Sequence, residues 1–191
     1  MNRIPRITPE EIVTRALPVR PLTSIAEREC VARHAQDVPA DGHILEIGCL
    51  YGGMTAVLGI AAPTATITVI DDFSWHPEDD VPTSAELLLQ NMKKVGLPES
   101  RFNILTGDSR KIGARWNGEF DLCWIDGGHS YEYVFLDLIQ FGGRSNVIAI
   151  HDYGNPFWTS IQKAVDEFLS LKNGLYSLLE VVDTVAILKA N

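Results

Sequence analysis

Short apolar runs that end in a glycine or an acid recur along this chain, separated by stretches of helical pattern. His43–Ile47 runs into Gly48, Thr66–Ile70 into Asp71, and Phe102–Thr106 into Gly107-Asp108. Phe120–Ile125 runs into Asp126, and Val147–Ile150 into His151-Asp152. Strands alternating with helices predict a mostly parallel sheet covered on both faces. Such a sheet binds ligands beyond the carboxyl ends of its strands, where the strand order reverses. The glycines and acids therefore fall where a ligand would be held.

The intervening segments read as helices over 53–60, 83–95 and 159–171. Another is capped by Ser130, with Val134, Leu138 and Phe141 at helical spacing. The runs 176–182 and 184–188, with only Asp183 between them, predict a closing antiparallel pair. The fold class expected is α/β: a Rossmann-like, doubly wound, seven-stranded sheet, mostly parallel with an antiparallel C-terminal strand. Residues 1–40 stand apart. Pro5, Pro9, Pro18 and Pro21 fall in the first 22 residues, followed by a helix that Ser24 caps and Pro39 and Gly42 stop. This segment is expected to be an arm and helix serving as a lid or as a substrate or oligomer contact, with 41–191 as the ligand-binding domain.

Composition narrows the function classes. The 191 residues include 16 Lys and Arg against 25 Asp and Glu, a net charge of −9, and 46% are hydrophobic. That composition is globular rather than disordered. The acidic balance argues against nucleic acid and anionic membrane surfaces as partners. Cys30, Cys49 and Cys123 are too scattered for a disulfide framework or a zinc site, which predicts a reducing, cytoplasmic setting. No apolar run approaches the ~20 residues of a membrane span, and residues 1–10 lack the apolar core of a signal peptide.

The first strand–turn–helix reads Leu45-Glu46-Ile47-Gly48-Cys49-Leu50-Tyr51-Gly52-Gly53. Its glycines permit a sharp turn and close approach of backbone to ligand. The pattern G-x-x-x-G-G departs from the dinucleotide fingerprint G-x-G-x-x-G. Glu46 beside the loop disfavours a pyrophosphate and favours a ligand carrying ammonium and sulfonium charge, as S-adenosylmethionine does. Asp71, at the end of the second strand, is positioned to accept ribose hydroxyls, with Asp72 following it.

Leu45-Glu46-Ile47-Gly48, Gly52-Gly53-Met54-Thr55, the stretch Trp124 to Glu132 with Asp137, and Ile150-His151-Asp152-Tyr153 together resemble class I S-adenosylmethionine-dependent methyltransferases. The similarity is to the small-molecule O-methyltransferase branch that includes macrolide-sugar and aminocoumarin enzymes, and it covers about residues 43–170. It implies that Glu46, Gly48, Tyr51, Gly52 and Gly53 hold the methionine portion. Asp71 would take the ribose, Asp108 and Ser109 would face the adenine, and Asp126 would sit at the methyl-transfer centre. The acceptor implied is a small-molecule hydroxyl. Members of this branch usually carry Pro-Gly-Gly directly before the fifth strand, whereas Gly142-Gly143 here is followed by Arg144-Ser145-Asn146.

Asp126 and Asp152 end neighbouring strands, so their carboxylates can converge and suit Mg²⁺ or another divalent cation, with His151 as a third ligand. The alternative is that the two acids cap loops. His129 precedes a helix N-terminus, whose dipole favours the neutral imidazole that acts as a base. His151 is a further catalytic candidate. Trp75 and Trp158 lie on loops above the sheet and offer a stacking wall for an acceptor. His34 and His43 are expected to be structural, and Cys49 a packing residue. Two rival readings stand beside methyl transfer: a nicotinamide-dependent Rossmann oxidoreductase, and a non-catalytic domain that binds S-adenosylmethionine. A homo-oligomer is compatible with all three.

Overall fold

The computed structural model describes residues 6–77 and 81–191. Pro5 and the acidic stretch Glu78-Asp79-Asp80 lie outside the described residues. Seven strands form one sheet: β1 His43–Ile47, β2 Thr66–Asp71, β3 Phe102–Thr106, β4 Phe120–Ile125, β5 Ser145–Ile150, β6 Tyr176–Val182 and β7 Val185–Ala190. Their order is β3-β2-β1-β4-β5-β7-β6. Strand β7 runs antiparallel to both β5 and β6, and the other pairs are parallel.

The order reverses between β1 and β4, and the registers there align the strand ends. Ile47 pairs with Ile70 on one side and with Ile125 on the other, and Ile125 pairs with Ile150. Gly48, Asp71, Asp126 and His151 therefore emerge at one level along the carboxyl edge.

Helices cover both faces. Helices α1 Pro9–Ala16, α2 Ile25–Ala35, α3 Gly53–Ala61 and α4 Ala85–Lys94 pack on one face. There Ile12, Val31, Val57 and Leu88 meet Ile44 and Trp124. On the other, α6 Tyr131–Gln140 and α7 Thr159–Leu171 set Leu138, Val165 and Phe168 against Leu45, Ile125 and Ile148. The strand period of two explains this division: Ile44 and Glu46 face the first layer, Leu45 and Ile47 the second. Within the first 40 residues, Ile12, Ala16, Val31 and Ala35 are buried in the first core.

Several boundaries differ from the sequence reading. The helix expected from Thr83 starts at Ala85, because Ser84 is the cap and accepts the Leu87 N–H at 3.1 Å. Thr83 instead donates to the Phe73 and Trp75 carbonyls, at 3.3 and 3.2 Å. Strand β5 begins at Ser145 rather than at 147, because Gly142–Arg144 form one tight 3₁₀ turn. A five-residue helix, α5 Ser109–Gly113, was not anticipated. Among the described residues no helix is long and apolar enough to cross a membrane.

Candidate active site

A cleft of about 680 Å³ opens at the carboxyl edge of the sheet. Of the residues singled out in the sequence, Gly48, Gly53, Asp71, Asp72, Asp108, Ser109, Asp126, His129, His151 and Asp152 line it. Glu46, Tyr51 and Gly52 do not.

The glycine loop is shaped by close approach. Gly48 has φ +81°, and a Cβ there would overlap the carbonyl oxygen of Asp126. A Cβ on Gly53 would lie 2.7 Å from Cα of Pro21, so this glycine lets the N-terminal segment cross the loop. Arg20, Pro21, Leu22 and Thr23 thereby reach the cleft wall. Asp71 braces the loop from β2: Oδ2 accepts the N–H groups of Cys49 and Leu50 at 2.8 and 3.2 Å, and Oδ1 that of Phe73 at 2.8 Å. Tyr51 is buried and donates its hydroxyl to the Val81 carbonyl at 3.1 Å.

Glu46 lies behind the loop, wholly buried on the α3 side of the sheet. Burial, reinforced by the nearby charges of Asp71 and Asp126 and opposed by the Thr55 hydroxyl, pushes its carboxyl up to about 8. In the ligand-free protein at neutral pH it is therefore mainly uncharged. That differs from the anionic group beside the loop expected from sequence, and the reason is desolvation.

At the β3 end, Asp108 caps α5 and is gripped by Arg110 through two bonds of 3.0 and 2.8 Å. These bonds hold the Asp108 carboxyl below its usual range. Arg110 also lies over the Tyr133 ring, 3.7 Å from its centroid, and donates to the Tyr133 hydroxyl at 2.8 Å. Behind this wall Asp137 is buried, and desolvation, with Asp108 nearby, raises its carboxyl to about 7 against the opposing Ser109 hydroxyl.

The centre of the cleft joins β4 and β5. His151 Nδ1 lies 3.1 Å from Asp126 Oδ1 and 3.4 Å from Asp152 Oδ2. Its Nε2 lies 3.5 Å from Oε2 of Glu27, a residue of α2. Burial disfavours a charged imidazole, but the three carboxylates outweigh it and push His151 up to about 12. Burial likewise raises Glu27, yet His151, Thr184 and the Ser24 N–H bring it down to about 2. Asp152 is held well below the carboxylate range: its partners His129, His151 and Asn155 overcome burial. Asp152 also adopts φ +60°, a left-handed conformation uncommon outside glycine and tolerated by aspartate.

His129 completes the group. Its Nε2 is 3.2 Å from Asp152 Oδ2, and its ring stacks on Trp158 at 4.6 Å between centroids. One ligand atom from each of Asp126, His129 and Asp152 lies within 4.8 Å of the others. The expected set of Asp126, His151 and Asp152 is thus also brought together, but both nitrogens of His151 already face carboxylates.

Sequence reasoning did not single out Glu27, Arg110 or Tyr133. Arg110 stands two residues past Asp108, close enough for a local pair to be suspected. Glu27 carried only the signature of a capping box with Ser24.

A family model described as a methyltransferase domain matches residues 45–153, more than half of the chain. The matched span runs from β1 to just beyond β5 and contains the histidine–aspartate group. The chain belongs to the class I methyltransferase family. No curated protein matches this methyltransferase. Among solved structures it resembles the O-methyltransferase NovP at 18% identity and TM-score 0.74, covering 95% of this chain and 88% of that one. It resembles CalS11, a TDP-rhamnose 3'-O-methyltransferase of calicheamicin biosynthesis, at 19% identity and TM-score 0.60, covering 95% and 92%. The SAH-bound methyltransferase PaMTH1 of Podospora anserina aligns at 20% identity and TM-score 0.61, covering 98% and 89%. At these identities the structural likeness speaks for the fold. The family match speaks for methyl transfer over the nicotinamide reading.

Proposed function

We propose that this methyltransferase moves the methyl group of S-adenosylmethionine to a hydroxyl oxygen of a small molecule. The observation that carries the reading is the meeting of Asp126, His129, His151 and Asp152 in the cleft that also holds Gly48, Asp71 and Asp108. The cofactor would lie along the strand ends, with ribose at Asp71 and Asp72 and adenine beside Asp108 and Ser109. Its amino-acid portion would lie against the loop from Gly48 to Gly53, in front of Glu46. NovP and CalS11 are described as O-methyltransferases, which supports an oxygen acceptor here.

The chemistry is an in-line displacement at the sulfonium methyl, so the protein must align the acceptor and remove its proton. His129 is the group assigned to the proton, through Nδ1, with Asp152 orienting the ring through its 3.2 Å contact to Nε2 and Trp158 fixing its plane. Asp126 orients the acceptor oxygen. The donor set Asp126, His129 and Asp152 also fits a divalent ion, two carboxylate oxygens and one imidazole nitrogen within 4.8 Å. An ion bound there supplies positive charge that lowers the pKa of a hydroxyl next to it. His129 is then a ligand rather than the base.

Calorimetric titration with S-adenosylhomocysteine tests the cofactor assignment. At ~100 times its dissociation constant the ligand should stabilise the fold by about 2.7 kcal/mol. No heat with this ligand, together with binding of a nicotinamide dinucleotide, refutes the reading. Turnover after chelation, with and without added Mg²⁺, separates the two roles of His129.

A further inference from the structure

We propose that Glu27 is a positioning residue of the reaction centre, fixing the His151 ring from behind the cleft, so that α2 and the β6–β7 turn belong to the catalytic apparatus. The inference rests on the methyl-transfer reading for its meaning, but the pair itself is a matter of geometry. Glu27 sits in the first turn of α2, only 4% exposed, and does not line the cleft. Its Oε1 accepts the N–H and the hydroxyl of Thr184 at 3.1 and 2.6 Å. Its Oε2 accepts the Ser24 N–H at 2.8 Å and faces His151 Nε2 at 3.5 Å.

A capping box needs one carboxylate oxygen turned back to one N–H, on a surface helix end. This carboxylate does more. Both oxygens are engaged, and the partners come from three separate parts of the chain: the α2 cap, the β6–β7 turn and the end of β5. The consequence falls on His151. With Nε2 against Glu27, Nδ1 is turned toward Asp126 and Asp152, the two acids on the cleft wall. A flipped or rotated ring loses one side or the other. An amide in place of the carboxylate cannot satisfy all partners, because its NH₂ must confront either the Thr184 donors or the Ser24 N–H and His151.

The test reads the imidazole directly, in uniformly ¹⁵N-labelled protein, with the His151 signals assigned by their loss in His151→Gln. In the wild type, His151 Nε2 should carry a hydrogen protected from exchange. In Glu27→Gln that resonance should shift and its hydrogen should exchange freely, while the His43 signals stay in place. Affinity for S-adenosylhomocysteine should change by no more than about threefold, since Glu27 is outside the cleft. Unchanged His151 signals in folded Glu27→Gln overturn the proposal. So does a loss of cofactor affinity well beyond that range, which would mark Glu27 as a support for the cleft as a whole. Should Glu27→Gln fail to fold, Thr184→Val, which removes one donor from Glu27, should move the His151 Nε2 signal in the same direction. A wild-type His151 with no hydrogen on Nε2 overturns the proposal without any Glu27 variant. Absence of S-adenosylhomocysteine binding in the wild type would sink the methyl-transfer reading instead, leaving the His151 spectrum to judge the pair.

Discussion

Asp71 holds the backbone N–H of Cys49 at 2.8 Å through the same oxygen that accepts from Leu50. The residue assigned to the ribose is thus also the brace of the glycine loop. From sequence alone, Asp71→Ala should weaken cofactor binding far more than the fold, with the melting temperature hardly moving if the residue is exposed in a cleft. The structure changes that expectation. Removing the carboxylate strands loop N–H groups in a partly buried place, at about 1–3 kcal/mol. Asp71→Ala should therefore melt lower without ligand, by about 2–4 °C per kcal/mol in a chain of this size. It should also bind S-adenosylhomocysteine at least ~10-fold more weakly, a loss of about 1.4 kcal/mol. Thermal melts and calorimetry on one preparation check both. An unaltered melting temperature with weakened binding would mean that the loop holds its shape without the brace.

Glu46 gives the protein a pH dependence with a definite sign. Its carboxyl stands at about 8 in the folded protein, against an ordinary value of 4.5. The native state therefore binds more protons than the unfolded chain between those values. The stability that goes with the protonated group is complete below about pH 4.5 and is lost as pH rises through 8. Within that window this group alone lowers stability by ~1.4 kcal/mol per pH unit. Glu46→Gln should remove the slope, so variant and wild type diverge as pH rises, the variant being the more stable at pH 8. Denaturant unfolding at pH 5, 6, 7 and 8 measures the divergence. Binding of a cationic cofactor at pH 7 should also ionise Glu46 and release a proton. Calorimetry in buffers of different ionisation heat should see that proton in the wild type and not in Glu46→Gln.

The strand ends were legible in the sequence because two short-range signals coincide there: an apolar run stops, and a glycine or acid follows. Asp71, Asp126 and Asp152 reach the cleft for that reason. The orientation of Glu46 was legible in principle, since it alternates with Leu45 and Ile47 and so faces α3. Glu27 was not. Its sequence context is that of a helix cap, and its partners Thr184 and His151 are distant in the chain and meet it only through packing. His34 gave the same difficulty: its bond of 2.7 Å to Glu180 joins α2 to the edge strand β6 and leaves no local mark.

Trp158 offers a test of the acceptor side that leaves the cofactor side alone. The residue is 43% exposed, and its ring lies nearly parallel to that of His129, at 17° between planes. An aromatic pair of this kind contributes about 0.5–1.5 kcal/mol beyond its area. Trp158→Ala should therefore cost about 1 kcal/mol of stability or less. Affinity for S-adenosylhomocysteine should hold, while methylation of any hydroxyl acceptor should slow, because the His129 ring loses the surface that sets its plane. Melting, calorimetry and product formation read the three effects separately. A fall in cofactor affinity with normal turnover at saturation would place Trp158 on the cofactor side of the cleft.

His151 separates two metal arrangements that otherwise look alike. If it were a ligand beside Asp126 and Asp152, replacing it with glutamine should weaken a bound divalent ion, as loss of any ligand does. The contacts argue for the opposite result. His151 stands as a cation 3.1 Å from Asp126 and 3.4 Å from Asp152, so it competes with an ion for both carboxylates. A neutral glutamine removes that competition, and Mn²⁺ should bind His151→Gln more tightly than wild type in electron paramagnetic resonance titrations. His129→Ala and Asp152→Asn should weaken Mn²⁺, because each deletes a member of the set that lies within 4.8 Å. The same substitution should lower stability without metal. It leaves Glu27, Asp126 and Asp152 without their shared partner, and breaking a buried charge group costs about 3–5 kcal/mol. Added Mn²⁺ should then restore more of the melting temperature in His151→Gln than it adds to wild type. Weaker Mn²⁺ binding in His151→Gln would make His151 a ligand. Equal binding in His129→Ala and wild type would leave His129 with the proton and no part in holding an ion.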